Sequence, residues 1–314
     1  MKQYLEYLYQ LNYNSSTIKQ YDKFLHFFRT WLNVEDLSAE NCSYQNLLDF
    51  IDHAIIRYSH RTNPRATINR LLVAISHYYD YLIKENPKFL NPARKIRIKN
   101  PSQRHVHDLI HESELSSLYS KIEIHDARSV RNKVLLGLLI YQGLSTSEIH
   151  RLSIHDLKLR KGTVLIRGGR VSYYRNGPTT RELELEAFQI IDMIEYLENI
   201  RPRILAGSYQ KLPGRKPLEK NVIHKTNQLL LSIGGSHNLK SSMLHLFRNL
   251  KNINPKIKNA SQIRQSVIAG WLNRYDLRRV QYMAGHRYVS STGYYKQIDI
   301  YKLKSKIIEY HPLK

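Results

Sequence analysis

Arginine, histidine and tyrosine are side chains with which a protein can hold and attack a phosphate ester. A guanidinium binds phosphate oxygens through two parallel N–H bonds and keeps its proton throughout the working pH range. An imidazole adds a hydrogen bond, and a phenol oxygen can form a covalent intermediate. One stretch of this chain gathers these types in order: Ser261-Gln262-Ile263-Arg264, then Leu277-Arg278-Arg279-Val280-Gln281-Tyr282-Met283-Ala284-Gly285-His286, then Ser290-Ser291-Thr292-Gly293-Tyr294-Tyr295. Arg264 precedes His286 by 22 residues, and His286 precedes Tyr295 by 9. Other chemistries find less support. There is no Walker loop and no GxGxxG. A lone cysteine, Cys42, excludes an intramolecular disulfide and a cysteine-based metal site. His105, His107 and His111 could ligate a metal, but they read as histidines of a basic linker. No metal site is therefore expected.

The charge balance points the same way. Among 314 residues, Lys and Arg number 49 against 26 Asp and Glu, a formal charge of +23. The surplus is localised. Residues 86–107 hold six bases and no acid, and residues 220–275 hold nine bases and no acid. Long acid-free stretches keep the local potential positive, which suits a phosphate backbone that binds by counterion release. An anionic membrane surface is the rival partner, but no strongly basic amphipathic helix stands out. No apolar run reaches membrane-spanning length, and the N-terminus lacks the apolar core of a signal peptide. The expectation is a soluble, cytoplasmic, DNA-associated protein with no membrane contact.

The elements that must position these residues fall into two domains. Residues 1–93 read as a helical bundle. Asn14 to Thr17 offers cap oxygens before the stripe Ile18, Tyr21, Leu25, Phe28 and Leu32. Ser43 caps a third helix, and a fourth follows Pro64 with Ile68, Leu71, Leu72, Ile75, Tyr79 and Leu82 on one side. Arg57, Arg61, Arg65 and Arg70 give this bundle a basic edge. Residues 94–107 read as a basic linker, proline-rich at its approach. Residues 108–314 form the second domain. An apolar helix from Arg131 to Tyr141 is closed by Gly143, and a helix from Ser145 to Leu152 follows. Residues 159–166 and 180–185 read as strands around a Gly-rich, basic turn. Residues 188–197 are helical, 206–228 a Pro/Gly/Lys-rich loop, and the chain from Met243 on is mostly helical.

The ordered boxes resemble those of the tyrosine recombinases, the phage integrase and Xer-type family, over nearly the whole chain. Their second half carries an H-x-x-R box, a G-H box about 22 residues later and a tyrosine 9 residues beyond. Tyr141-Gln142-Gly143-Leu144-Ser145-Thr146-Ser147-Glu148-Ile149 resembles the family's first box, and Leu152 to Leu157 its continuation. Residues 15–32 and 64–84 resemble helices of the N-terminal core-binding domain. The resemblance implies a mainly α fold: a core-binding bundle plus an α-rich catalytic domain with a small antiparallel β-sheet. It implies two domains that clamp double-stranded DNA, and a homo-tetramer on two DNA sites. It implies site-specific recombination for a mobile element, by integration, excision or inversion, through a covalent 3′-phosphotyrosine. Neither ATP nor another cofactor is implied, because the phosphodiester energy is kept. By the same resemblance Tyr295 is the nucleophile, Arg264 the second arginine, His286 the histidine of the G-H box and Glu148 the acidic supporting residue. Residues 301–310 could be a C-terminal helix that docks on a neighbouring protomer or in cis.

Three positions depart from the pattern. Ser145 stands where the first arginine belongs, and Ser261 where the H-x-x-R histidine belongs. His245-Leu246-Phe247-Arg248 spells H-x-x-R, but Arg248 lies 38 residues before His286 and is read as a decoy. The turn where a lysine acts as general acid reads Arg167-Gly168-Gly169-Arg170, and arginine gives up its proton too reluctantly for that role. Two enzymatic readings and one other remain open. A divergent recombinase would bring Arg167, Arg170 or Arg181 to the phosphate. A topoisomerase-like enzyme would share the tyrosine chemistry. A recombinase-like protein that binds DNA without cutting it would need none of this.

Overall fold

Helix α1 (Lys2–Gln10) opens a four-helix N-terminal unit with α2 (Ser15–Val34), α3 (Tyr44–Tyr58) and α4 (Pro64–Glu85). The computed structural model describes residues 1–99, 108–169, 179–207 and 226–295, which divide into two units. The N-caps of α2, α3 and α4 are local chemistry. The Asn14 side chain accepts from the Ser16 N–H, Ser43 and Asn46 close a reciprocal box, and Asn63 accepts from the Ala66 N–H ahead of Pro64 in the first turn. Leu8, Leu25, Phe28, Leu47, Phe50, Leu71 and Ile75 then bury one face of each helix in a common core.

The first unit extends past its last helix. Ala93 is buried, and Ile96 and Ile98 pack on the helical core. Asn69 in α4 donates to the Ile98 carbonyl at 2.9 Å and accepts from the Ile98 N–H at 2.9 Å. A single amide side chain thus pairs with the segment as a neighbouring strand would. Arg94 reaches Asp80 at 3.2 Å. The basic stretch from residue 94 is therefore held down through residue 98.

The second unit surrounds α6 (Ala127–Ile140), whose Val134, Leu135, Leu136, Leu138 and Leu139 are all buried. Around it stand α5 (Glu112–Ser120), α7 (Thr146–Arg151), α8 (Ala187–Glu195), α9 (Arg201–Leu205), α10 (Lys240–Ile253), α11 (Ala260–Leu272) and α12 (Leu277–Ala284). One further helix, α13, covers residues 289–295. A three-stranded antiparallel sheet packs at one side: β1 (Leu157–Lys158), β2 (Thr163–Ile166) and β3 (Arg181–Glu184), in that order. Its register pairs Val164 with Leu183 and Ile166 with Arg181. The strand expected over 159–166 begins only at Thr163. Residues 159–161 form a 3-10 turn instead, closed by Gly162 in the left-handed region (φ 64°). Among the described residues no helix is long and apolar enough to cross a membrane.

His111 has a local role: it is the N-cap of α5, and its Nδ1 accepts from the Ser113 N–H. His105, His107, Arg170, most of the loop at 206–228 and the C-terminal 301–310 segment lie outside the described residues. The Asn69 clasp makes a prediction. Asn69→Ala removes both hydrogen bonds to Ile98, so trypsin should cut at Lys95 and Arg97 several-fold faster than in the wild type. Equal cleavage rates would show that Ile96 and Ile98 hold the segment without Asn69.

Candidate active site

Glu148 is fixed before it meets any other functional group. Ser145 is the N-cap of α7, and its backbone N–H and hydroxyl donate to Glu148 Oε2 at 2.8 and 2.7 Å. The Glu148 N–H returns a bond to the Ser145 oxygen at 3.3 Å. This capping box turns the carboxylate into the protein, where Glu148 is only 3% exposed. Two arginines meet it there. Arg181 Nη1 donates to Oε1 at 2.7 Å, and Arg264 Nη1 donates to Oε2 at 3.0 Å. Burial alone raises the carboxyl pKa, but the charges of Arg264 and Arg181 outweigh it and hold the group down at about 2.

Arg264 projects from α11 and is pinned by main-chain carbonyls. Nη1 also donates to Gly143 O at 2.5 Å, and Nη2 donates to Ala284 O at 2.5 Å. Gly143 is glycine for its own local reasons: its φ is +56°, and an added Cβ would press on Trp271 and Val267 at 3.1 Å. Arg181 comes from β3 and is completely buried. Its Nε donates to Met283 O at 2.7 Å at the end of α12. The next turn is bare for a reason. Gly285 lies at φ +65°, and a Cβ there would sit 2.3 Å from Arg181 Nη1.

His286 follows that glycine. Its Nδ1 lies 2.9 Å from the Thr292 hydroxyl, and Thr292 is fully buried. Its ring lies nearly parallel to that of Tyr295, with centroids 6.1 Å apart and planes 9° apart. Burial, then the charges of Arg264 and Arg181, lower the His286 pKa to about 4, so the ring is neutral at pH 7. Tyr294 stands edge-on to Tyr295 at 5.9 Å. The four residues expected from the sequence, Glu148, Arg264, His286 and Tyr295, are thus brought together by α7, α11, the turn after α12, and α13.

Other expectations resolve by contact. Arg167 Nε donates to buried Asp156 at 2.7 Å, while its side chain is 64% exposed. Asp156 is the acidic residue of the first box's continuation, and it also accepts from the Ser153 N–H. Ser261 is exposed on α11, one turn before Arg264, and His245 and Arg248 are exposed on α10. Thr292 escaped the sequence reading. Its signal was modest: a residue with a hydroxyl one helical turn before Tyr295. Arg181 was only one of three candidates, yet the alternation Arg181-Glu182-Leu183-Glu184-Leu185 carried a hint. It puts Arg181 in phase with two inward leucines.

Comparison with known proteins follows the same lines. The Phage integrase family matches residues 108–300, and the Phage integrase N-terminal SAM-like domain matches residues 1–86. The tyrosine recombinase XerC of Bacillus pumilus is 25% identical over 312 residues, covering 98% of this chain and 95% of that protein. Among solved structures, the XerH recombinase in a post-cleavage complex with palindromic difH aligns with TM-score 0.67 and 21% identity, covering 92% of this chain and 78% of that one. The Tn1549 transposon integrase with transposon right end DNA aligns with TM-score 0.60 and 15% identity, covering 96% and 98%. A lambda integrase tetramer on a Holliday junction aligns with TM-score 0.61 and 12% identity, covering 94% and 75%.

Two predictions rest on this cluster. The Glu148 carboxyl is held at about 2 when folded, against an ordinary 4.5. Its contribution to stability is therefore intact above pH 4.5 and lost as pH falls toward 2. Glu148→Gln should cost on the order of 3 kcal/mol at pH 7 and flatten the acid limb below pH 4.5. Urea unfolding over a pH series reads both effects. Gly285→Ala should cost about 1–2 kcal/mol from its left-handed backbone alone, and more as the Cβ pushes on Arg181. An unchanged urea midpoint would refute the close approach.

Proposed function

This chain belongs to the phage integrase family of tyrosine recombinases, and on that footing we propose how it handles DNA. It cuts and rejoins double-stranded DNA at specific sites through a bond between Tyr295 and a 3′ phosphate. The observation that carries this is the convergence of Arg264, His286 and Tyr295 beside the buried Glu148 carboxylate. The Tyr295 phenol oxygen attacks the scissile phosphorus and gives up its proton to solvent. A new P–O bond forms to tyrosine, the bond to the 5′ oxygen breaks, and that oxygen takes a proton from solvent and leaves as a hydroxyl. Arg264 stabilises the charge that builds on the non-bridging oxygens. His286 is neutral, and in the tautomer whose Nδ1 accepts from the Thr292 hydroxyl, Nε2–H donates to the phosphate. Glu148 touches no substrate; it positions Arg264. The phosphotyrosine keeps the bond energy, so attack by another 5′-hydroxyl rejoins the strand.

The rest of the reading follows the family. Residues 1–93 form the DNA-binding domain, 94–107 the basic linker, and 108–314 the catalytic domain. Four copies act on two sites, in keeping with the lambda integrase tetramer on a Holliday junction. The service is to a mobile element, in keeping with the Tn1549 integrase on a transposon end. The protein works on DNA in the cytoplasm, at the nucleoid. Ser145 and Ser261 favour one competing reading, a recombinase-like protein that binds DNA without cutting it.

Covalent trapping separates the two. Purified protein is mixed with a pool of duplexes of randomised sequence around a nick, so that the short strand freed by cleavage diffuses away. Adducts are recovered on a denaturing gel and sequenced. Wild type and Tyr294→Phe should both yield an adduct, while Tyr295→Phe should lose it by at least about 10³-fold. Tight, salt-sensitive binding without any adduct would establish the non-cutting reading instead.

A further inference from the structure

The first box lacks its arginine, and the structure shows another guanidinium beside the gap. We propose that Arg181, from strand β3, supplies the second phosphate-binding guanidinium of the active site; this rests on the recombinase reading above. Four observations carry it.

The first is the fork itself. Arg181 Nε is committed to Met283 O and Nη1 to Glu148, which leaves Nη2. That nitrogen is buried and has no hydrogen-bond partner among the described residues. A purely structural anchor has no use for an unmade charged hydrogen bond, which is expensive inside a protein. The second is charge. Arg181 and Arg264 share the single carboxylate Glu148, and His286 is neutral, so the cluster carries one positive charge in excess. A phosphodiester brings one negative charge. The third is the neighbourhood. Gly285 is kept bare so that the guanidinium can lie against the turn that presents His286. The fourth is elimination among the described candidates. Ser145 spends its hydroxyl on the α7 cap and on Glu148, and Arg167 is exposed and paired with Asp156.

The assignment changes which element carries the charge. With the arginine in the first box, the cation would sit on the N-cap of α7. Here it sits on a strand, two residues from Leu183, and reaches the same carboxylate from the other side. Nη2 is covered in the chain without DNA, so the contact forms as the duplex closes on the site. Loss of Arg181 should therefore slow cleavage far more than it weakens binding.

The test uses the sites recovered from the trapping pool in two forms. One has a normal scissile phosphate. The other has a methylphosphonate, in which a methyl group replaces one non-bridging oxygen and removes the charge. Wild type, Arg181→Ala, Arg181→Lys and Arg264→Ala are compared for rate of adduct formation, DNA affinity and melting temperature. Arg181→Ala should slow the adduct by at least about 100-fold on the phosphodiester. On the methylphosphonate that gap should shrink to about tenfold or less, as should the gap for Arg264→Ala. Arg181→Lys, which keeps charge without the fork, should fall between wild type and alanine.

Three results would overturn the assignment. One is wild-type cleavage by Arg181→Ala. Another is an equal deficit on both substrates, as a merely structural role predicts. The third is an alanine variant that does not fold beside a folded Arg181→Lys that cleaves like wild type. Should the wild type yield no adduct from the trapping pool, the recombinase reading fails and this assignment fails with it. Failure confined to the Arg181 variants leaves that reading intact.

Discussion

A single buried carboxylate organises the second unit's functional face. Glu148 accepts from two guanidinium groups and from the cap of its own helix, all in the buried interior of the second unit. Arg264 also donates to the main-chain carbonyls of Gly143 and Ala284, and Arg181 to that of Met283. The carboxylate thus ties the end of α6, the start of α7, strand β3, helix α11 and the end of α12 to one point. Buried ion pairs are costly to desolvate, so the arrangement is best understood as positioning rather than as a net source of stability. Its value lies in holding positive charge still.

The same logic explains the small residues around it. Gly143 and Gly285 both occupy the left-handed region, and both also face a side chain that a Cβ would strike. Conformation and space make the same demand at each position. Gly285 has the second effect of bringing the His286 turn within reach of Arg181. Thr292 then sets the imidazole from beneath, and Tyr295 stacks beside it one helical turn later. Phenol, imidazole and guanidinium are carried by three separate elements, so their convergence depends on the packing of α11, α12 and α13 on the α6 core.

The departures from the family pattern gain a physical meaning here. Ser145 cannot deliver a charge, but it is a good cap, and it aims Glu148 inward. A serine at that position is compatible with an arginine arriving from the sheet. Asp156 clarifies the neighbouring departure: by pairing with Arg167 it keeps that side chain on the strand end.

Much was legible along the chain, because it depends on local rules. Helix caps at Asn14 and Ser43 are set by residues within one turn, and the apolar stripes of α2, α4 and α6 are periodic. The spacing from Arg264 to His286 to Tyr295 is likewise a property of one continuous stretch, and it marked the nucleophile candidate over its neighbour Tyr294. Other features were out of reach for the same reason. Nothing local says that Asn69 clasps Ile98, or that His286 rests on Thr292. The 3-10 turn at 159–161 shortened the strand expected over 159–166. Arg181 is the sharpest case. The sequence placed it in phase with Leu183 and Leu185, but inward phase does not name a partner. Glu148 lies 33 residues earlier and Met283 102 residues later, and only the folded chain puts them on the two sides of one guanidinium. Hydrogen bonds and ion pairs act over a few ångströms of space, so long-range partners are decided by tertiary packing alone.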